Sequence, residues 1–345
     1  MLMDKKLRER QREEPMIQRQ ARRAAIGRRA FLQGVASAAA GVALRVQTSR
    51  AQEAPASGAV PNSAGTELPK LKAPANACDC HMHAFDPQRF PPPNPQRLQP
   101  NARIADYRLL QKRIGTTRTV IVTPAAYVTD NRVTLDAIAQ LAPDARGVAV
   151  IHPTITDAEL KMLNEGGIRG IRFTQADPGA STTTIDMIEP LSRRVNELGW
   201  HVQIHMRGDQ IAAAKDLWDR LPSRIVFDHM GRLQAAGVND PAFGVMRALV
   251  DKGRTWVKIS GAYIETKVGP PTYADSTRVA EAFVKAAPER MLWGSDWPHP
   301  SLDANHKPDD AVLFDLLAQW APDEGVRRRI LVDNPEALYG FGKSS

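Results

Sequence analysis

The stretch Ala77-Cys78-Asp79-Cys80-His81-Met82-His83 alternates polar with small or apolar residues and predicts a buried strand with a polar end. Because side chains alternate along a strand, Asp79, His81 and His83 are expected to share one face. Cys78 and Cys80 are two residues apart, and a Cα separation of about 6.6 Å is at the far limit for a disulfide. We therefore predict two buried thiols. The H-x-H pair alone is a weak signal, since two core histidines give the same pattern.

Further strand patterns follow this one, and helical patterns separate them. The predicted strands are residues 77–83, 118–123, 147–151, 168–173, 201–206, 224–228, 255–260 and 291–295. The predicted helices are residues 106–114, 132–141, 157–164, 185–198, 209–220, 241–252, 276–286 and 309–319. This alternation predicts an α/β fold, a (β/α)8 TIM-type barrel forming a single catalytic domain over residues 74–342. A doubly wound sheet is the competing arrangement, but no G-x-G-x-x-G follows the first strand.

The charge of the chain is concentrated at its beginning. Of its 46 Lys+Arg and 38 Asp+Glu, residues 1–51 hold 12 basic and 4 acidic side chains, and the remaining residues hold 34 of each. The neutral body argues against a nucleic-acid binder. No apolar run reaches the roughly 18–20 residues of a membrane span.

Residues 1–51 are typical of an export signal. Arg28-Arg29 precedes Phe31-Leu32, a weakly apolar stretch covers residues 30–44, and Ser49-Arg50-Ala51 then has small residues at the two positions that a signal peptidase reads. The segment resembles a twin-arginine signal peptide, so we predict the translocase as a partner during export and a periplasmic location. An amphipathic helix with a chance arginine pair is the alternative. Residues 52–73 lack apolar periodicity and are predicted to be a linker.

Polar residues cluster where the predicted strands end, which is the catalytic end of such a barrel. These positions are His81, His83, Thr123, His152, Arg172, His205, His229, Ser260 and Asp296. His152 and His299 are equally open to a place at the barrel mouth or in a loop. His201 opens its strand at the other end and is assigned to structure, and His306 to a surface loop. Trp293 and Trp297 are assigned to packing.

Four segments together resemble the amidohydrolase superfamily, in its amidohydrolase-related (amidohydrolase 2) branch. They are Asp79–His83, Asp228-His-Met-Gly-Arg232, Trp293-Gly-Ser-Asp-Trp-Pro-His-Pro300 and Asn334-Pro-Glu-Ala-Leu-Tyr-Gly340. Within it the chain is similar to a lactone-acting group of 2-pyrone-4,6-dicarboxylate hydrolases, 4-sulfomuconolactone hydrolases and D-galactarolactone isomerases. The resemblance implies a hydrolase that opens a carboxylated lactone, with a small lactone as its binding partner.

The resemblance also implies roles for particular residues. Asp296 would take the proton from water, and His81, His83 and His229 would polarise the ester carbonyl. The arginines Arg172 and Arg232 would bind a substrate carboxylate, with rim salt bridges as the alternative. Tyr263 and Lys267, in the loop after the seventh strand, are candidates for substrate contact.

The chain departs from this group at informative positions. The resemblance implies that the pyrone hydrolases work without a metal, with a tyrosine at the position of His205 and an arginine after strand seven. The corresponding segment Gly261–Glu265 of this chain contains no arginine. The isomerases carry asparagine at the position of Asp296. His81, His83, His205 and Asp296 suit one Zn-like divalent ion, so the residues leave metal-dependent and metal-independent catalysis both open.

Three other functions are open. A lactone isomerase and a metal-dependent decarboxylase belong to the same superfamily branch. A periplasmic binding protein for small acids is the non-enzymatic alternative, but pure binding does not require a base such as Asp296.

Overall fold

Eight parallel strands form one sheet in the computed structural model, which describes residues 58–93, 101–176 and 182–342. The strands are β1 Cys78–Met82, β2 Arg118–Val122, β3 Ala145–Ala149, β4 Ile168–Thr174, β5 His201–His205, β6 Arg224–Phe227, β7 Thr255–Ser260 and β8 Met291–Gly294. Each predicted strand matches one of these to within two residues at either end. The described residues all belong to one structural unit.

Helices alternate with the strands, as the periodicity predicts. They are α1 Ile104–Ile114, α2 Arg132–Leu141, α3 Asp157–Glu165, α4 Ile188–Asn196, α5 Gly208–Ala213, α6 Lys215–Arg220, α7 Pro241–Asp251, α8 Ala274–Ala286, α9 Asp310–Trp320, α10 Glu324–Arg328 and α11 Asn334–Tyr339. The single helix predicted over residues 209–220 is divided in two at Ala214, whose φ of −94° and ψ of 16° depart from helical geometry. None of the helices in these ranges is long and apolar enough to cross a membrane.

The strand order shows that the sheet is wound in one direction. It runs from β1 to β8 without a reversal, which excludes the doubly wound alternative. The two edges of the sheet meet to give a nearly closed barrel. Two backbone hydrogen bonds join β1 to the segment after β8, from the Asp296 N–H to the His81 carbonyl (2.7 Å) and from the His83 N–H to the Trp297 carbonyl (2.8 Å). Gly294 permits this approach, because a Cβ there would lie 2.7 Å from the Cβ of His81. The predicted (β/α)8 barrel is confirmed.

The barrel has two apolar layers, as a (β/α)8 fold requires. Alternate strand residues such as Val120 and Val122 fill the interior, whereas Ile121 joins the larger cluster between strands and helices. Cys78 and Cys80 lie in the interior cluster as free, buried cysteines, which confirms the predicted thiols.

The prediction that Asp79, His81 and His83 share one face of β1 is wrong. The β1–β2 pairing shifts register between Asp79 and Met82, so simple alternation fails there. Asp79 accepts hydrogen bonds from Tyr107 Oη on α1 (3.0 Å) and from Ser295 Oγ (2.6 Å), away from the histidines. Burial raises the pKa of Asp79 to about 6, although these donors favour its charged form. Asp79 therefore anchors β1 and does not share the face of His81 and His83.

The segment before the barrel is attached to it. Residues 58–73 fall in the predicted linker, but they are hydrogen-bonded to the barrel. The Pro61 carbonyl oxygen accepts a hydrogen bond from Trp297 Nε1 (2.7 Å), and the Leu71 N–H donates one to Asp315 Oδ1 (2.8 Å). Val60 is buried in the main core. A lack of apolar periodicity therefore does not indicate a free chain here. The predicted signal peptide, residues 1–51, lies outside the described residues.

Candidate active site

Three of the predicted catalytic side chains meet at the carboxyl end of the barrel. Nε2 of His81 lies 3.3 Å from Nε2 of His83, and Asp296 Oδ1 lies 3.5 Å from the first and 3.3 Å from the second. All three side chains are buried. His83 is fixed from behind, because its Nδ1 lies 2.7 Å from the Val122 carbonyl oxygen and can donate to it. The three reactive atoms therefore form a compact triangle.

Unusual backbone geometry brings two site residues to this place. Asp296 has a φ of 61° and His229 a φ of 49°, in the left-handed region that non-glycine residues rarely adopt. His229 Nε2 lies 3.9 Å from Asp296 Oδ1, and its Nδ1 is 2.9 Å from Ser260 Oγ at the end of β7. Ser260 therefore orients the ring of His229 towards the carboxylate.

The second oxygen of Asp296 has its own partners. Tyr263 Oη donates to Asp296 Oδ2 at 2.6 Å, and His299 Nδ1 lies 3.3 Å from the same hydroxyl. His299 Nε2 in turn lies 3.1 Å from Asp310 Oδ2 on α9. Tyr263 thus holds the carboxylate and leaves Oδ1 facing the imidazoles. The role of Tyr263 in substrate contact stays a prediction, and His299 lies in this buried chain and not in a surface loop.

A buried polar layer lies beneath the triangle. Asp228 Oδ2 accepts hydrogen bonds from Arg172 Nε (2.9 Å) and Gln203 Nε2 (3.0 Å). Lys258 Nζ lies 2.7 Å from Gln203 Oε1 and 3.2 Å from His81 Nδ1. Sequence reasoning missed Lys258 and Gln203 as site residues. The signal was present, since a lysine in the middle of the apolar strand Thr255–Ser260 has to be buried with partners or lie on an edge.

The electrostatics set the charge of the main groups. Burial opposes ionisation of Asp296, but interactions with His229, His83 and His81 outweigh it and hold the pKa of this carboxyl well below its usual range. Burial, aided by Lys258, holds the pKa of His81 well below its usual value. Burial likewise lowers the pKa of His229. At neutral pH the site therefore combines the ionised carboxylate of Asp296 with the neutral imidazoles of His81 and His229.

The triangle has the dimensions of a metal site. Zinc–ligand bonds of about 2.0–2.2 Å give tetrahedral edges of about 3.3–3.6 Å. The three separations between His81, His83 and Asp296 are 3.3, 3.5 and 3.3 Å. Two imidazoles and one carboxylate are also suitable ligands for such an ion. A second group of possible ligands, His81, Asp228 and His229, lies next to the first.

His205 does not join either of these groups. Its ring lies beside that of His229, with centroids 5.4 Å apart, and its Nδ1 is buried with no hydrogen-bond partner among the described residues. Burial, together with Arg172, holds the pKa of His205 well below its usual value. His205 is therefore a neutral imidazole at the same mouth, and its role as a metal ligand stays a prediction.

The remaining predicted residues lie further out. Arg232 is paired with Glu265 at the rim. Lys267 is exposed, and its backbone N–H donates to Asp275. His152 is exposed and bonded to Thr154, which favours its reading as a loop residue. The placements of the other aromatic residues agree with expectation: His201 is buried at the start of β5, His306 is exposed, and Trp293 and Trp297 are packed in the core.

Comparisons with known proteins agree with this geometry. A family model described as Amidohydrolase matches residues 78–341. A 4-sulfomuconolactone hydrolase of Rhizobium radiobacter is 36% identical over 77% of this chain and 91% of its own. A 2-pyrone-4,6-dicarboxylate hydrolase of Comamonas testosteroni is 34% identical over 80% and 94%. A D-galactarolactone isomerase of Agrobacterium fabrum is 32% identical over 79% and 93%.

Solved structures show the same relationship. The apo crystal structure of an Agrobacterium tumefaciens protein is 30% identical, has a TM-score of 0.73, and covers 82% of this chain and 99% of its own. The family model spans most of the chain, and the relatives align over nearly their whole length. The chain therefore belongs to the amidohydrolase family of enzymes.

Proposed function

We propose that the protein hydrolyses a carboxylated lactone, derived from a sugar acid or from aromatic degradation, by attack of water on the ring ester carbonyl. The observation that carries the proposal is the position of Asp296, whose Oδ1 lies within 3.5 Å of both His81 and His83. Curated relatives that align over most of their length are named lactone hydrolases.

Each step of the reaction has a residue suited to it. Asp296 is ionised and accepts a proton from water as a general base. Tyr263 stabilises the opposite carboxylate oxygen and keeps Oδ1 directed at the histidines. The neutral imidazoles of His81 and His229 provide N–H groups for the developing oxyanion, and His83, held through its Nδ1 by the Val122 carbonyl, completes this wall of the site. The site is buried, so these interactions act in a low dielectric.

In this proposal His81, His83 and Asp296 are the ligands that would hold one divalent ion, Zn²⁺ or a similar one. When bound, such an ion lowers the pKa of water towards about 7 and polarises a carbonyl. His205 remains the candidate for a fourth ligand. The hydrolase proposal does not depend on the ion, because Asp296 collects the proton in either case.

Ring isomerisation is the second candidate function. It is supported by the relative named D-galactarolactone isomerase. The carboxylate of Asp296 favours hydrolysis, since isomerisation within a ring does not require a base that activates water.

The proposal is tested by incubating the purified protein with a panel of sugar-acid and aromatic-degradation lactones while its metal content is measured. Formation of the ring-opened acid is expected. Release of CO₂ would indicate the decarboxylase alternative, and a new ring without acid formation would indicate isomerisation. Binding of lactones without any turnover would contradict the proposal and support the binding protein.

The substrate is expected to carry one carboxylate and not two. The segment after β7 has no arginine and instead places Glu265 against Arg232. A dicarboxylate should therefore lose one charge-assisted contact, worth roughly 1.5–3 kcal/mol, or about ten- to a hundredfold in kcat/KM. Steady-state kinetics on matched mono- and dicarboxylated lactones measure this difference. A pyrone dicarboxylate that proved the best substrate would refute it.

The location is part of the same proposal. We expect export by the twin-arginine translocase and a mature protein that begins near Gln52 in the periplasm, because the Arg28-Arg29 pair precedes a cleavable stretch. Replacing both arginines with lysine should leave the uncleaved precursor in the cytoplasm, as judged by fractionation and immunoblotting. A variant that still reached the periplasm at the normal level would rule out this route.

A further inference from the structure

Lys258 is the lysine of β7, and its side chain is completely buried inside the barrel beneath the catalytic histidines. Besides its bonds to Gln203 and His81, its Nζ lies 3.6 Å from Asp228 Oδ1. Burying a lysine is costly unless its partners compensate for the lost hydration. The proposed hydrolysis uses no atom of Lys258, so its contact with His81 needs a separate explanation.

Two neighbours compete for Nδ1 of His81, and they require different forms of the ring. Lys258 Nζ, at 3.2 Å, is a donor, whereas Asp228 Oδ1, at 3.3 Å, can only accept. A neutral imidazole carries one proton, on Nδ1 or on Nε2. Bonding to Lys258 therefore places the proton on Nε2, and bonding to Asp228 places it on Nδ1.

The choice at Nδ1 decides what Nε2 offers to the active site. With its proton on Nε2, His81 can donate to Asp296 or to a substrate carbonyl but has no lone pair there for an ion. With its proton on Nδ1, the Nε2 lone pair is free. Histidine ligands of metals commonly donate their other N–H to a carboxylate in this way.

When the proton of His81 is on Nε2, one carboxylate oxygen of Asp228 lacks a hydrogen-bond donor. Its Oδ2 accepts bonds from Arg172 and Gln203. Its Oδ1 is buried and accepts no hydrogen bond from the residues that the structure describes. A buried carboxylate oxygen without a donor is unfavourable, and an N–H on His81 Nδ1 would supply that donor.

We propose that Lys258 is a positioning residue that holds His81 with its proton on Nε2 and thereby weakens divalent-ion binding at His81, His83 and Asp296. Moving the Nδ1 contact from Lys258 to Asp228 frees Nε2 and favours the ion. The inference rests on the proposed function for the role of His81. In it, Lys258 determines whether Nε2 of His81 is a hydrogen-bond donor or a metal ligand.

The first test is the tautomer of His81 in the metal-free protein. With ¹⁵N-labelled histidine, long-range ¹H–¹⁵N correlation spectra distinguish a protonated Nε2 from a protonated Nδ1, and a His81→Asn variant assigns the signal. We expect the proton on Nε2. A proton on Nδ1 would overturn the proposal, and this measurement needs no change at Lys258.

The second test is the affinity for Zn²⁺, measured by competition with a chromogenic chelator. Lys258→Met, which removes the amine and leaves an unbranched side chain one atom shorter, should bind Zn²⁺ about 10–100-fold more tightly, whereas Asp228→Asn should bind it more weakly by a similar factor. Unchanged or weaker binding by folded Lys258→Met would overturn the proposal; if that variant does not fold, the tautomer decides. Lactone turnover is measured on the wild-type protein separately, so its absence would count against the hydrolase alone.

Discussion

Replacing Asp296 with asparagine is expected to lower kcat for lactone hydrolysis by about 10²–10⁴, because an amide cannot accept the proton that water must lose. The substitution preserves size, and Tyr263 Oη can still donate to the amide oxygen as it does to the carboxylate. The effect should therefore fall on the chemical step. Steady-state kinetics should show a low kcat with little change in KM, and the thermal midpoint should stay near that of the wild type.

Asp303→Asn is a suitable control, since Asp303 lies in the loop after β8 but is exposed and paired with His306. It should keep full activity. An Asp296→Asn enzyme that hydrolysed lactones at near the wild-type rate would contradict the proposed mechanism. Retention of ring isomerisation alone would not, because isomerisation within a ring does not require a base that activates water.

The strands could be predicted because their signals are local. β-branched and apolar runs such as Arg118–Val122 and Arg224–Phe227 are short, buried and bounded by helical patterns, and a barrel places each in sequence order. The same order explains why His81, His83 and Asp296 could be expected together. They end β1 or follow β8, which are neighbours only when the barrel closes.

The rest of the site depends on contacts that are distant in sequence. The register shift in β1 separates Asp79 from the histidines, and nothing in the residues 77–83 marks it. The position of Tyr263 in the loop after β7 predicts substrate contact, but it does not reveal that the hydroxyl also donates to Asp296, 33 residues away. The break at Ala214 is similarly invisible to periodicity, since both halves of residues 209–220 keep helical composition.

Lys258 is the opposite case, because its local sequence alone indicates an unusual position. A charged residue between Val257 and Ile259 conflicts with a wholly apolar interior, and such conflicts are expected at functional sites. Its partners Gln203 and Asp228 come from β5 and from the end of β6, so only the closed barrel reveals that they share one layer.

Replacing His229 with alanine is the second change with a large expected effect. His229 is buried, its pKa is lowered by burial, and its Nε2 lies 3.9 Å from Asp296 Oδ1, so in the proposed mechanism its neutral ring is a donor to the ester carbonyl. Loss of one oxyanion donor typically costs about 10²–10³ in kcat. Ser260→Ala should cost less, because it removes only the group that orients Nδ1 of the same ring.

The ordering of these two variants tests the assigned roles. If His229 acts on the developing charge, its removal should lower kcat and kcat/KM together, and Ser260→Ala should show a smaller loss of the same kind. His306→Ala, at an exposed position, is the control and should be fully active. A His229→Ala enzyme that lost only substrate affinity, with kcat intact, would show that this ring binds the lactone equally well in its ground and transition states and does not stabilise the oxyanion.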